Sequence, residues 1–260
     1  DPVALFLAET WADEDKLHFL CNKLNFDHAW IVPRINSTGC LCLFWKKSVH
    51  IEVISSSPNH VDAIVGKPGE DRWRFTGIYG FADYRRKHET WALLRQLHRR
   101  TSLPWLCAGD FNEIMWAHEK LGRGLSQERM MAEFREVLDE CGLMDLGFRG
   151  EKFTWKGKRS WGLVLERLDW AVANNSWFAS NPGTQVQHLQ THAADHRPGL
   201  PEGIFPKPCR PFKFEKMWLS DRGCSDTVTS AWGTSSSAFT MIQVAGKIKH
   251  CGDRLSIWSK

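Results

Sequence analysis

Several things are scarce in this chain of 260 residues, and each scarcity excludes something. None of the eight cysteines, at 21, 40, 42, 107, 141, 209, 224 and 251, forms a Cys-x-x-Cys pair, and no histidine spacing is of the zinc type. That excludes the common zinc modules, and cysteines in apolar runs read as buried reduced thiols of an intracellular protein. No leader-like segment and no apolar run long enough to span a bilayer stands in the sequence, so no membrane partner is expected. Net charge is also missing where a nucleic-acid footprint would be sought. Residues 1–200 hold 25 basic and 25 acidic side chains, and the whole excess of +4 lies in residues 201–260, with 9 basic against 5 acidic. Binding of DNA by the main body would need a local basic patch. Tyrosine is down to 2, beside 14 tryptophans scattered singly, as core or helix-face residues are. Internal repeats are absent.

The length suits one large α/β domain, or one domain plus an appendage. Val3–Ala8 is an apolar run with strand character that stops at Glu9-Thr10, and a helix from about Asp13 carries Leu17, Leu20, Cys21 and Leu24 on one face. Ala29–Pro33, Cys40–Trp45, Val49–Ser55, Val61–Val65 and Arg72–Tyr79 then read as five strands of an antiparallel meander. Arg85–Arg100 reads as a helix with Trp91, Leu94 and Leu97 inward and its charges outward. Ser126 reads as the N-cap of a further helix, with Met130, Phe134, Val137, Leu138 and Cys141 at helical spacing before Gly142. Phe153–Trp155, Val164–Asp169 and Gln185–Leu189 supply further strands. The order of elements predicts two packed mixed sheets flanked by helices. Five prolines between 198 and 211 predict a boundary, with a linker and an amphipathic helix over about 239–258 beyond it.

The chemistry centres on Ala108-Gly109-Asp110-Phe111-Asn112, which closes the apolar strand Leu103–Cys107. Polar residues at the C-terminal end of a strand are where open α/β folds place their sites. Alternation would send Asp110 and Asn112 to one side and Phe111 to the core, so that one group orients water while the other donates to a phosphate oxygen. The same residues also make an ordinary turn. Glu9 at a strand end is a fitting hard-oxygen ligand for Mg²⁺, or simply a solvated carboxylate. Tyr79 could donate to a phosphate oxygen or be a half-buried strand aromatic. Asp169 closes another strand, with an ion pair to a neighbouring Arg as its plain reading, and Asp195-His196 is a carboxylate–imidazole dipeptide.

In order along the chain, these residues resemble the endonuclease/exonuclease/phosphatase family, and within it the endonuclease domain of plant LINE-type (non-LTR) retrotransposons. The likeness is carried by Trp73-Arg74-Phe75-Thr76-Gly77-Ile78-Tyr79-Gly80, by Leu103-Pro104-Trp105-Leu106-Cys107-Ala108-Gly109-Asp110-Phe111-Asn112-Glu113 and by Cys141-Gly142-Leu143-Met144-Asp145-Leu146-Gly147. It covers about residues 2 to 200. Phe212-Lys213-Phe214-Glu215-Lys216-Met217-Trp218 resembles the segment that leads to the reverse transcriptase in such elements.

The resemblance implies a four-layer α/β sandwich of two mixed β-sheets flanked by helices, over residues 1–200. It also implies a DNA-nicking activity dependent on Mg²⁺ or Mn²⁺, and a nuclear location. Residues 201–260 would lead toward a reverse transcriptase that the chain lacks. By the resemblance Glu9 would bind the metal with support from Asp195, and Asp110 would orient the attacking water. Asn112 and Tyr79 would hold the scissile phosphate, and His196 would contact it, oriented by Asp169 with Thr154 packed alongside.

Three departures predict weak activity. The family's first strand, with its Asn, would precede Asp1. Ala194 stands where a Ser is usual, and Arg197-Pro198-Gly199-Leu200-Pro201-Glu202-Gly203 stands where an apolar final strand, neighbour of the first, is usual. Two other readings are a non-catalytic remnant or interaction module of the same fold, and a phosphatase acting on small phosphates or lipids.

Overall fold

The structure, a computed structural model, describes residues 2–34, 39–124, 128–159, 162–191, 194–202, 218, 221–232, 247, 251, 254, 255 and 258. The chain divides into two compact units, Asp1–Ile204 and Phe205–Lys260. In the first, β1 (Ala4–Thr10), α1 (Glu14–Lys23), β2 (His28–Val32) and β3 (Cys40–Trp45) are followed by β4 (Ile51–Ser57), β5 (His60–Val65) and β6 (Trp73–Tyr79). Then come α2 (Lys87–His98), β7 (Trp105–Asp110), β8 (Lys120–Leu121), α3 (Glu128–Glu140), β9 (Leu143–Asp145) and β10 (Phe148–Arg149). The unit closes with β11 (Trp155–Arg159), β12 (Gly162–Glu166), β13 (Asp169–Asn174), α4 (Asn175–Ser180), β14 (Gln185–His188) and β15 (Gly199–Glu202).

These elements build the α/β sandwich as four layers. A sheet in the order β1-β3-β2 and a six-stranded sheet in the order β4-β5-β6-β7-β13-β9 are its two central layers. Val32, Leu41 and Leu43 of the first meet Val61 and Ala63 of the second. On the outer side of the first sheet, Leu17 and Cys21 of α1 pack on Cys40, Cys42 and Phe44. On the outer side of the second, Trp91, Leu94 and Leu97 of α2 and Phe134, Val137 and Leu138 of α3 cover Ile78, Trp105, Cys107 and Val172. Strand β3 is therefore covered on both faces, which is why it reads Cys-Leu-Cys-Leu-Phe without a polar residue. Two small sheets, β10-β14-β15 and β11-β12-β8, complete the unit.

The predicted five-strand meander is in fact split. Strand β3 has β1 on one edge and β2 on the other, so it has no free edge for β4, which starts the second sheet instead. Only β4-β5-β6 is a meander. The segment predicted as one strand over 164–169 is also two elements: β12 stops at Glu166, and Asp169 opens β13. The proposed N-cap Ser126 lies outside the described residues, while Gly142 (φ 61°) ends α3 in the left-handed conformation expected of such a stop.

Residues 199–202 form strand β15 rather than a damaged interior one. It pairs only with β14, Pro201 opposite Val186, at a sheet edge where a missing N–H breaks no ladder. The first unit runs through it to Ile204. The second unit holds α5 (Arg222–Trp232), ahead of the helix predicted over 239–258, most of which lies outside the described residues. The seven cysteines among the described residues are buried free thiols, and Cys209 lies outside those residues.

The centre of the second sheet is polar. Arg74, fully buried, donates through Nε and Nη2 to Asp62 at 2.8 Å each and through Nη1 to the Leu97 carbonyl at 2.7 Å. Beside it His60 is buried between Ser55 (3.0 Å) and Ser57 (2.7 Å). Burial lowers its pKa from the ordinary 6.5 to about 4, against the pull of Asp62. In between those values the unfolded chain binds a proton at His60 that the folded protein refuses. Stability from this group is therefore complete above pH 6.5 and declines as pH falls toward 4. Urea unfolding should show wild type losing about 2 kcal/mol more than His60→Asn between pH 7 and 5; equal losses in the two would place the acid sensitivity elsewhere.

Candidate active site

The site arises from the connection between β6 and β7. They are parallel, joined by the crossover through α2, and so end at the same rim, with Tyr79 opposite Asp110 in the register. Strand β13 runs antiparallel to β7 with its first residue, Asp169, opposite the last, Asp110. A strand start and two strand ends thus bring three functional side chains together. Gly109 (φ 140°) makes the approach possible, since a Cβ there would lie 2.1 Å from the Ile78 carbonyl oxygen.

After Asp110 the chain leaves the extended conformation. Asn112 takes φ 54°, and its backbone N–H donates to Asp110 Oδ1 at 2.7 Å. Its Nδ2 donates to Asp110 Oδ2 (2.8 Å) and to the Gly80 carbonyl (2.9 Å). Asp110 and Asn112 therefore share a side because of a tight turn rather than strand alternation, while Phe111 is buried as expected. Both amide hydrogens of Asn112 are engaged and hold Asp110 in place, so donation to a further acceptor requires one of them to be released. Gly80 closes the turn from the other side, its N–H donating to the Asp110 carbonyl at 2.7 Å, and any Cβ there would meet the Phe111 carbonyl oxygen at 2.4 Å.

His196 arrives from the loop before β15 and is fixed by a bridge to Trp155. Its Nδ1 is 2.9 Å from Asp169 Oδ2, and its Nε2 faces Asp110 Oδ2 at 3.9 Å. Asp169 is thus the partner of His196, not of Arg167, whose guanidinium goes to Asp145 (2.9 Å) and Glu119 (3.2 Å). Thr154, buried, accepts the Leu168 and Asp169 N–H groups on Oγ1 at 2.9 and 3.0 Å and so fixes the backbone that presents the aspartate. Burial opposes a charged imidazole, but the hydrogen bond and charge of Asp169, with Asp110 and Asp195, outweigh it and raise the pKa of His196 to about 9. Burial first, then the charge of Asp169, holds the Asp110 carboxyl well above the usual range.

Glu9 sits in β1 at φ 55°, in a bulge where Leu7 pairs with Cys42 and Thr10 with Cys40. Tyr79 Oη donates to its Oε1. That bond, with burial as the larger cause, raises the Tyr79 pKa and keeps the phenol protonated. Glu9 and Asn112 are two of the three non-glycine residues with positive φ among those described, and such conformations gather where geometry serves function. Asp195 is exposed, and its backbone carbonyl accepts from the Lys156 N–H at 2.9 Å. Asp110, Asp169 and His196 have ligand atoms within 4.8 Å of one another, close enough to share a metal ion.

The sequence profile of the endonuclease/exonuclease/phosphatase family matches residues 1–221. The chain belongs to that family. No curated protein matches it in sequence. Among solved structures it is similar to the endonuclease domain of TRAS1, a telomere-specific non-LTR retrotransposon, with a TM-score of 0.57 and 12% identity over 79% of this chain and 100% of that one. It is also similar to the 3′ phosphatase NExo from Neisseria, bound to a product DNA hairpin (0.58, 18%, 78% and 90%). An AP endonuclease from Archaeoglobus fulgidus aligns comparably (0.57, 14%, 78% and 90%). At such identities the likeness is one of fold.

The donor set of this family member suits a divalent cation: Asp110 and Asp169 offer oxygens and His196 a nitrogen within 4.8 Å of one another, and a cation there would offset the burial and the charge of Asp169 that raise the Asp110 carboxyl. Two residues that support the site were missed from sequence. Asn59 holds the Tyr79 backbone, accepting its N–H at 2.9 Å and donating to its carbonyl at 2.7 Å. Lys87 was read among outward charges of a helix, yet it is buried and touches Asn112. A lysine in a charged helical run carries no local sign of pointing inward.

Proposed function

We propose that this family member is a divalent-metal-dependent phosphodiester hydrolase that nicks DNA, a retrotransposon-derived endonuclease. One observation carries the reading: a buried carboxylate locked by an asparagine turn faces, at 3.9 Å, an imidazole that a second carboxylate holds at 2.9 Å. Glu9, supported by Asp195, would hold Mg²⁺ or Mn²⁺, which when bound supplies charge neutralisation at the phosphate. Asp110, its carboxyl raised and oriented by Asn112, takes the proton of the attacking water. His196, cationic at neutral pH, donates to the phosphate oxygen on which charge accumulates, and Asp169 holds it in place. Tyr79 supports Glu9 and can turn its hydroxyl toward the phosphate.

DNA as substrate is supported by the sequence motifs shared with non-LTR endonuclease domains, and by the TRAS1, NExo and AP endonuclease folds. The plant LINE origin, the nuclear location and a reverse transcriptase beyond residue 260 rest on the resemblance alone. Supercoiled plasmid should be nicked in Mg²⁺ or Mn²⁺ and left intact in EDTA. DNA binding without nicking under either metal would favour the non-catalytic reading, and release of phosphate from small esters without nicking would favour the phosphatase.

A further inference from the structure

We propose that the buried pair Lys87–Glu113 is a positioning device for Asn112 and, through it, for Asp110; the proposal rests on the hydrolytic reading of the cleft. Lys87 is the first residue of α2, where the helix dipole disfavours a cation, and it is buried there all the same. Its ammonium donates to the Glu113 carboxylate at 2.6 Å and to the Asn112 carbonyl. Glu113 is buried too, and its other oxygen accepts the Ile114 N–H at 3.1 Å. Trp170 Nε1 donates to the Glu113 carbonyl at 2.9 Å, tying the same turn to β13.

A buried ion pair is poor evidence of stabilisation, because desolvation offsets most of the attraction. What this pair does have is a third partner, the carbonyl of a residue held at φ 54°. An asparagine tolerates that conformation, and bonds on both of its flanks hold the turn in it. Asp110 and Gly80 anchor the amide side, and Lys87 anchors the carbonyl side. Lys87 bonds Glu113 and Asn112 and not Asp110, so any effect on Asp110 runs through Asn112. A misplacement of about 1 Å at a reacting group can cost on the order of 100-fold in rate.

The test uses the full chain as Lys87→Met, Glu113→Leu and the double variant, which leaves no buried charge unpaired. The double variant should unfold thermally near wild type. Its kcat for plasmid nicking should fall roughly 10- to 100-fold with KM within about threefold, and exchange of the Asn112 amide hydrogen should accelerate at least about tenfold while the amides of β7 and β13 stay protected. Wild-type kcat in the double variant, or a lowered kcat with Asn112 exchange unchanged, overturns the proposal. If the wild-type chain itself nicks nothing, the hydrolytic reading fails, and the exchange measurement still decides whether Lys87 holds Asn112.

Discussion

Replacing His196 with alanine is expected to slow plasmid nicking by roughly 100- to 10,000-fold, the range a positioned acid–base group supplies. The residue is partly exposed; its side chain bonds Asp169 at 2.9 Å, while its bridge to Trp155 is a backbone pairing that alanine keeps. Loss of the side chain should lower the unfolding midpoint at pH 7 as well as the rate, because an imidazole whose pKa folding raises to about 9 contributes stability at neutral pH. Asp169→Asn should cost less, because Thr154 still fixes the backbone at that position and only the anchor of the ring is weakened. Single-turnover rates at saturating DNA separate the effect from binding. If His196→Ala keeps the wild-type rate while Asp110→Ala is inert, the imidazole has no part in the chemistry.

The largest stability effect is expected at Arg74. Arg74→Met leaves the Asp62 carboxyl buried with Thr76 as its closest remaining donor, at 2.7 Å, and leaves the Leu97 carbonyl without its partner. Breaking one side of a buried pair costs about 3–5 kcal/mol, against a total of roughly 5–15 kcal/mol for a domain. Urea unfolding should show that loss, and Arg74→Met with Asp62→Leu should recover much of it, since the charge then left beside the site, Arg100, is partly exposed and can be solvated. A loss below about 1 kcal/mol in the single variant would mean that water reaches Asp62. Trp105 adds to the cluster from above, its ring 4.7 Å from the guanidinium and its Nε1 donating to Thr76 at 2.8 Å.

Much of the outer helix layer was legible because helical spacing reports one buried face. Leu17 and Cys21, Trp91, Leu94 and Leu97, and Phe134, Val137 and Leu138 all lie where their periodicity predicts. Strand partners were less legible. The run Cys40–Trp45 announces burial on both faces, but nothing local states that β1 and β2 occupy both of its edges. The prolines at 198 and 201 read as a broken strand because composition does not distinguish an edge from an interior position, and the ladder to β14 alone settles it.

For the candidate site, the sequence by itself determined which groups are available: acids at strand termini, an asparagine after Gly-Asp-Phe, and a histidine beside an acid. Only the tertiary structure decided what each is joined to. It paired Asp169 with His196 instead of Arg167, directed both amide hydrogens of Asn112 inward, gave Glu9 to Tyr79 and turned Lys87 beneath the turn. The reason is that side-chain period and turn chemistry are local properties, spanning a few residues. The register of β6, β7 and β13 instead depends on packing between segments up to about ninety residues apart, and that register sets which polar groups face each other.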